Sequence, residues 1–136
     1  MNKETLENIL GRPQYQSLLG LEKLKIPSGE RILITGADGS IGRALAARIK
    51  NHAGVECLTT DIVGDHEYLD ITDFQNVFSV VNKFSPTIIV NIAGAKHAPL
   101  GEREIWKTLS INSIGMKNII DAAPQNCKLV LTSTCR

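Results

Sequence analysis

The sequence has no strong excess of charge, no long apolar run and few cysteines, and each absence excludes a class of protein. The formal net charge is +1 over 136 residues, which gives no electrostatic reason to bind nucleic acid or an anionic membrane. No apolar run approaches the roughly 20 residues of a membrane span. The start, MNKETLENIL, is too polar for a signal peptide. We therefore expect a cytoplasmic protein with neither a nucleic-acid nor a membrane partner.

The cysteines indicate neither a disulfide framework nor a metal site. Cys57, Cys127 and Cys135 are odd in number and lack the spacing of metal ligands. Two of them lie in or beside apolar runs typical of strands, where we expect a buried free thiol. The sequence predicts no metal site. With 43% hydrophobic and 21% charged residues, the composition is that of an ordinary globular domain.

The strongest pattern runs from Arg31 to Leu45, RILITGADGSIGRAL. An apolar run, glycines spaced G-x-x-G-x-x-G and an apolar-periodic segment predict a strand, a tight loop and a helix. We expect Gly36 to turn the chain off the strand, Gly39 to let backbone approach a pyrophosphate, and Gly42 to let the helix lie close to the sheet. Free N–H groups at the helix start would hold the phosphates. The alternative is an ordinary glycine-rich turn.

An acidic residue follows at the distance that a dinucleotide site requires. The helix predicted from about Ser40 to Asn51 has an apolar face made of Ile41, Leu45 and Ile49. The second predicted strand covers residues 55–60 and leads into Asp61. This carboxylate can accept hydrogen bonds from the hydroxyls of the adenosine ribose. The alternative for Asp61 is a turn residue at a strand end.

Further periodic segments complete an alternating pattern. A short strand at Tyr68-Leu69 precedes a Thr-x-x-Gln capping box made by Thr72 and Gln75. The stripe of the next helix is predicted to be core: Phe74, Val77, Phe78, Val81 and Phe84. Residues 87–92 read as a central parallel strand that is buried on both faces.

The last predicted helix runs from Glu102 to Ala122, and a fifth strand covers residues 128–132. The helix has an inward-facing stripe of Ile105, Trp106, Leu109, Asn112, Met116, Ile119 and Ile120. For the asparagine, a structural bond to backbone and a catalytic water contact both remain open, because an unpaired buried amide is costly. The alternation predicts an α/β fold, a Rossmann-like doubly wound parallel sheet of order 3-2-1-4-5.

These motifs resemble the short-chain dehydrogenase/reductase superfamily, whose cofactor fingerprint matches Thr35-Gly36-x-x-Gly39-x-x-Gly42. The version ILITGADGSIGRAL is similar to the extended branch that modifies nucleotide sugars. LENILGRP before the domain and AKHAPL after the fourth strand resemble the polysaccharide-biosynthesis group of UDP-sugar 4,6-dehydratases and epimerases. The resemblance runs from about residue 6 to residue 134.

The resemblance implies a nicotinamide dinucleotide cofactor. Asp70 would receive the adenine amino group and Ile71 would border the ring, while helix capping is the alternative for this stretch. Small residues after the fourth strand would lie against the nicotinamide half, although Asn91 and Gly94 depart from the family pattern. The implied cofactor-binding residues are Thr35, Gly36, Asp38, Gly39, Ser40, Ile41, Gly42, Asp61, Asp70, Ile71, Ala93, Gly94 and Asn112.

We expect NAD rather than NADP. Asp61 would repel a 2′-phosphate, and the following Ile62-Val63-Gly64 offers no arginine to receive one. Arg43, directly after the third glycine, favours the alternative, NADP.

The resemblance also implies a substrate side. Lys96 and His97 match the group's K-H-x-P signature, which would place them beside a nucleotide-sugar pocket, with a solvated loop as the alternative. In this group a Ser-Thr-Asp-Lys stretch and then a Tyr-x-x-x-Lys pair follow the fifth strand. Here Cys135 and Arg136 stand at the Asp and Lys positions, and the 136 residues hold no such pair. The catalytic residues are therefore unknown, with Thr134 as the only candidate.

We expect residues 29–136 to form a dinucleotide-binding domain that is incomplete relative to the family, after a helical arm of residues 1–28. Three functions remain open: a cofactor-binding domain inactive on its own, part of a dehydratase or epimerase completed by another chain or a lost C-terminus, and a non-catalytic interaction module. The strand edge at 128–132 and the leucine-rich arm predict a homodimer. A monomer covered by its own arm is the alternative.

Overall fold

Five parallel strands form one sheet. The computed structural model describes residues 26–95 and 103–133. The strands are β1 (Arg31–Thr35), β2 (Glu56–Asp61), β3 (Glu67–Tyr68), β4 (Ile88–Asn91) and β5 (Lys128–Leu131). Their order across the sheet is β3-β2-β1-β4-β5, with every neighbouring pair parallel. The predicted α/β fold and its sheet order are confirmed.

Helices of the described ranges connect the strands, except β2 and β3, which follow each other without a helix. They are α1 (Ser40–Ile49), α2 (Phe74–Phe84), α3 (Ile105–Leu109), a π-helical segment (Ser110–Gly115) and α4 (Met116–Ala122). No helix in the described ranges has the length and apolar character needed to cross a membrane.

Two apolar clusters cover the two faces of the sheet. Because side chains alternate along a strand, Leu33 of β1 joins the cluster beneath α2 and α4, whereas its neighbours Ile32 and Ile34 join the cluster beneath α1. Both faces of the central strands are therefore covered, as the continuous apolar runs predict. This packing holds the carboxyl ends of the strands at one edge of the domain.

The predicted packed face of α1 is wrong at its first position. Ile41 is 59% exposed, whereas Gly42 and Ile49 are buried and Leu45 is partly buried. At 3.6 residues per turn, positions four apart drift by about 40° around the helix. Ile41 is therefore turned well away from Ile49, and a glycine takes its place against the body of the domain.

The capping box predicted for α2 is also wrong. The N-cap is Asp73, whose carboxylate accepts hydrogen bonds from the backbone N–H of Gln75 at 2.9 Å and of Asn76 at 3.2 Å. The Thr72 hydroxyl instead donates to Asp70 Oδ1 at 2.7 Å. The cap lies one residue later than the Thr-x-x-Gln pattern indicates, and Thr72 is free to shape the loop before it.

Two apolar stripes predicted to be core are only partly buried. On α2, Val77, Val81 and Phe84 are buried, but Phe74 and Phe78 are exposed and contact each other, with ring centroids 5.9 Å apart.

The stripe predicted for residues 102–122 is interrupted. No residue of α3 is buried, and Trp106 is 84% exposed, while Ile120 is half exposed and Ile119 is buried. A π turn closes hydrogen bonds to the fifth residue rather than the fourth, which shifts the phase of every side chain after it. A single stripe cannot continue from α3 into α4.

Two of the cysteines lie in the described ranges. Cys57 and Cys127 are free and partly buried, and desolvation raises the pKa of both thiols. Neither is set up as a thiolate nucleophile. Cys135, Arg136 and residues 1–25 of the predicted arm lie outside the described residues. Of the predicted arm, the structure describes residues 26–28. Ile26 packs against the apolar cluster beneath α1.

Candidate functional site

A cavity of about 570 Å³ opens at the carboxyl ends of the strands. Loops that directly follow strands supply most of its lining, and one side of α3 and the π-helical segment supplies the rest. In parallel α/β sheets, small-molecule sites form at this edge. The lining residues are Gly36, Asp38, Gly39, Asp61, Ile62, Val63, Leu69, Asp70, Ile71, Thr72, Ile92, Ala93, Gly94, Lys107, Ser110 and Ile111.

The first and third glycines of the motif after β1, Gly36 and Gly42, are both required by the structure, for different reasons. Gly36 has a φ of +69°, and a Cβ there would lie 2.6 Å from the backbone nitrogen of Ala93. A Cβ on Gly42 would overlap the Gly36 carbonyl oxygen and lie 2.7 Å from Ala37 Cα. What Gly42 packs against is therefore the loop backbone itself, rather than the sheet.

The middle glycine differs from the other two. Gly39 is the N-cap of α1 with φ −68° and ψ 162°, a conformation that any residue adopts. It lines the cavity, no side chain caps the helix there, and the first turn carries no acidic residue. The N–H groups of that first turn lack intrahelical acceptors, which makes the helix start an anion-binding position.

Asp61 is held in place at the end of β2. Its Oδ2 accepts from the backbone N–H of Asp38 at 2.9 Å, and its Oδ1 accepts from Ile62 at 2.7 Å and Val63 at 3.3 Å. A carboxylate has about four acceptor sites, so one remains for a ligand. The carboxylate lines the cavity in a fixed orientation.

Asp38 makes an ion pair beside this carboxylate. Arg43 Nη2 lies 3.0 Å from both carboxylate oxygens of Asp38. His66 Nε2 lies 3.7 Å from Asp38 Oδ1, and its Nδ1 lies 3.0 Å from Thr59 Oγ1. The Arg43 guanidinium is the main cause that holds the pKa of the Asp38 carboxyl below its usual value.

The loop after β3 forms the floor between the two sides. Asp70 Oδ1 accepts from both the N–H and the hydroxyl of Thr72, at 2.9 and 2.7 Å. The buried side chain of Asn118 on α4 donates from Nδ2 to the carbonyls of Ile71 at 2.9 Å and Thr72 at 3.1 Å. A Cβ on Gly115 would lie 2.6 Å from Ile71 Cδ1, so the glycine makes room for that side chain. The second half of the chain therefore positions this loop.

The end of β4 is fixed in a similar way. The N–H of Ala95 donates to Asn112 Oδ1 at 2.8 Å, and Asn112 Nδ2 donates to the Ala95 carbonyl at 3.4 Å. Of the two roles left open for this asparagine, the structural bond to backbone is present. Thr35 is 1% exposed and donates from its hydroxyl to Asn91 Oδ1 at 2.5 Å. It joins β1 to β4 behind the cavity rather than lining it.

The cavity brings most of the predicted cofactor-binding residues together. Those that line it are Gly36, Asp38, Gly39, Asp61, Asp70, Ile71, Ala93 and Gly94. Those that do not line it are Thr35, Ser40, Ile41, Gly42 and Asn112. Lys96, His97 and Thr134 lie outside the described residues.

Sequence reasoning missed one side of the cavity, made by Lys107, Ser110 and Ile111. The predicted continuous helix gave no reason to single them out, because their placement depends on the π-helical segment. Within the described ranges, no group of three or more His, Cys, Asp or Glu side chains could hold a metal ion.

Comparisons with known proteins identify relatives of this chain. A family model described as NAD dependent epimerase/dehydratase family matches residues 32–136. A dTDP-4-dehydrorhamnose reductase of Aggregatibacter actinomycetemcomitans is 34% identical over 101 residues, which is 74% of this chain and 33% of the relative. The capsular polysaccharide biosynthesis protein CapD of Staphylococcus aureus is 26% identical over an alignment that covers 98% of this chain and 26% of the relative.

A solved structure shows the same fold. The dTDP-4-dehydrorhamnose reductase of Bacillus anthracis, in complex with NADP, has a TM-score of 0.65 and 29% identity, covering 77% of this chain and 36% of that chain. This chain thus spans between 26% and 36% of the length of these three proteins. The resemblance to epimerases and dehydratases, with polysaccharide-biosynthesis relatives, is confirmed.

Proposed function

The chain belongs to the NAD dependent epimerase/dehydratase family, and on that premise we propose that its cavity binds a nicotinamide dinucleotide, NAD in preference to NADP. One observation carries the proposal. The glycine loop, the uncapped start of α1 and the fixed carboxylate of Asp61 meet at one cavity of about 570 Å³. That volume lies within the roughly 300–1,000 Å³ usual for small-molecule sites.

The pyrophosphate would lie over the start of α1. There the backbone N–H groups of Ser40 and Ile41 would donate to it, beside the approach that Gly39 leaves open. Gly36 and Gly42 would act by shaping the loop, and Thr35 by joining β1 to β4 behind it. The exposed side chain of Ile41 has no part in this role, since the donor is its backbone.

The adenosine would lie against the ends of β2 and β3. The remaining acceptor site of Asp61 would take a ribose hydroxyl, and Ile71 would border the adenine ring. Asp70 Oδ1 is engaged by Thr72, whereas its Oδ2 makes no hydrogen bond with the described residues, so it is open to the adenine amino group. The nicotinamide half would lie against Ala93 and Gly94.

NAD is favoured by the carboxylates around the ribose position, since Asp38 and Asp61 both line that part of the cavity. A 2′-phosphate would add about −1.5 to −2 charge there. The NADP in the relative from Bacillus anthracis supports the opposite preference. Arg43, which pairs with the cavity-lining Asp38, is the residue that would support NADP here.

Calorimetric titration of the 136-residue chain with NAD and NADP tests the proposal. We expect saturable 1:1 binding of both, with the lower Kd for NAD. Tighter binding of NADP would invert the preference, and no binding of either at millimolar concentration would contradict the proposed function.

The chemistry that a bound nicotinamide supplies is hydride transfer, and the names of the relatives support a nucleotide sugar as the substrate. We propose Lys96 and His97 for the substrate side, and Thr134 as the first catalytic candidate to mutate. In the group that this chain resembles, proton transfer uses a tyrosine with a lysine four residues later, and neither Tyr15 nor Tyr68 has such a lysine. We therefore expect this polypeptide alone to bind cofactor without converting a nucleotide sugar. A keto-sugar product at ordinary turnover would contradict this.

We also propose that the chain forms a homodimer. β5 has β4 as its one neighbour among the described strands, and Val130, Leu131 and Trp106 are exposed. An unpaired strand edge with apolar side chains favours association. Light scattering at micromolar concentration would give twice the chain mass, and a monomer mass would contradict the proposal.

A further inference from the structure

We propose that Asp38 determines cofactor specificity by holding the guanidinium of Arg43, with which it pairs at the cavity, away from a 2′-phosphate. The inference rests on the proposed function, because it concerns which dinucleotide the same cavity prefers. It goes beyond the role of Asp61, which would act on the ribose directly.

The contact geometry supports a held arginine. Arg43 Nη2 lies 3.0 Å from each carboxylate oxygen of Asp38. Charge-assisted hydrogen bonds of this kind are about twice as strong as neutral ones. The side chain of Arg43 is 67% exposed and that of Asp38 only 31%, so the carboxylate is the more fixed partner and the arginine the one able to move.

Asp38 is itself fixed from three sides. Its backbone N–H donates to Asp61 Oδ2 at 2.9 Å. The turn after β2 passes close to its side chain, because a Cβ on Gly64 would lie 2.9 Å from Asp38 Oδ1. His66 Nε2 lies 3.7 Å from the same oxygen. The backbone of Asp38 is therefore fixed independently of Arg43, and its carboxylate lies against the turn after β2.

The local charge explains the preference. Asp38 and Asp61 contribute two negative charges beside the ribose position, and Arg43 contributes one positive charge that the first carboxylate already neutralises. A 2′-phosphate would meet a net negative charge, and the Arg43 guanidinium would already be engaged by Asp38. Without the Asp38 carboxylate, the same position would hold one carboxylate and one unengaged guanidinium, a group that suits phosphate geometry.

The test compares the ratio of the two dissociation constants in four forms of the 136-residue chain: wild type, Asp38→Asn, Arg43→Gln and the double variant. Calorimetry is done at pH 8, above the ordinary titration range of imidazole. Asparagine retains the shape of the side chain and the backbone N–H bond to Asp61. We expect Asp38→Asn to strengthen NADP binding, and to shift the NADP/NAD ratio toward NADP by about tenfold, the size expected for one unit charge close to the surface.

The double variant shows whether Arg43 carries the effect. Arg43→Gln should remove most of the gain in the Asp38→Asn background and should cost NADP less affinity when made alone, because the released guanidinium contacts the phosphate whereas the held one contributes only its charge. Asp65→Asn, in the turn after β2, is the matched control. It removes the same charge from an exposed residue that pairs with neither Arg43 nor Asp38 among the described contacts, and we expect a ratio within about twofold of wild type because solvent and salt screen exposed charges.

The outcomes separate this inference from the function on which it rests. Normal NAD binding with an unmoved ratio in Asp38→Asn would contradict the role of Asp38 alone. An equal loss of NADP affinity when Arg43→Gln is added to the wild type and when it is added to Asp38→Asn would also contradict it, since Arg43 would then serve the phosphate already in the wild type. If the wild-type chain bound neither dinucleotide, the proposed function would fail and this inference with it.

Discussion

The two sides of the cavity are built by different means. The first side, residues 36–39 and 61–63, follows two adjacent strands and is held by backbone bonds, such as Ala37 N–H to the Thr60 carbonyl at 3.1 Å. The second side, residues 92–94 and 107–111, depends on side chains from a distant part of the chain, above all Asn112. A short motif therefore specifies the first side, whereas tertiary packing specifies the second.

The largest effect is expected at the first side, from Gly36→Ala. The change combines a positive φ with a Cβ 2.6 Å from the Ala93 backbone, and we expect a loss of about 3 kcal/mol or more in unfolding free energy. Chemical denaturation measures it. Gly29→Ala is the matched control: it has a φ of +92° with nothing within 4 Å of a Cβ, and should cost only about 1 kcal/mol. Equal losses would contradict the role of the close approach.

Gly39→Val should separate binding from folding. The residue has an ordinary φ of −68°, so valine adds no backbone strain, and we expect a loss of only about 1 kcal/mol or less in unfolding free energy from the poorer N-cap. Dinucleotide affinity should fall by about a hundredfold or more, because the side chain would stand where the pyrophosphate approaches. Calorimetry and denaturation of the same samples check both. Retained affinity would show that the cofactor does not pass over this residue.

Asn118→Ala probes how the second half of the chain supports the floor of the cavity. It leaves the carbonyls of Ile71 and Thr72 without their donor, and we expect a loss of about 2 kcal/mol in unfolding free energy. Asn112→Ala is the comparison, since its bonds to Ala95 lie at an exposed position and should cost about 1 kcal/mol or less. The reverse order in urea denaturation would contradict this account of the second side.

Asp61→Ala should have a smaller effect on dinucleotide affinity than Gly39→Val. Losing the ribose acceptor should weaken NAD about tenfold, while NADP should lose less, because a repelling carboxylate is removed with it. Asp65→Ala in the neighbouring turn controls for the change in charge. An equal loss for both cofactors in calorimetry would contradict a role at the ribose.

The same contrast explains what could be predicted from the sequence. Gly36 and Asp61 follow from local rules, because a left-handed turn needs glycine and adjacent parallel strands end side by side. That Asp73 rather than Thr72 caps α2 could not be predicted, because both adjacent side chains can accept hydrogen bonds from the start of the helix. The exposure of Trp106 and the placement of Lys107 in the lining depended on a π turn that no helical periodicity indicates. Asn118 lies in the last predicted helix, but nothing in the sequence indicates its hydrogen-bond partners, which lie 46 and 47 residues earlier in the chain.

Residue-resolved NMR of the ¹⁵N-labelled 136-residue chain during titration with NAD tests the central claim most directly. We expect saturable shifts at the amides of residues 36–42, 61–63 and 70–72, and then at 93–95, with one common Kd. The chemical shifts of amides at the amino ends of the strands, on the opposite edge of the sheet, such as those of residues 50–54, should not change. Shifts confined to that opposite edge, or no shifts at millimolar NAD, would contradict the assignment of this cavity to a dinucleotide.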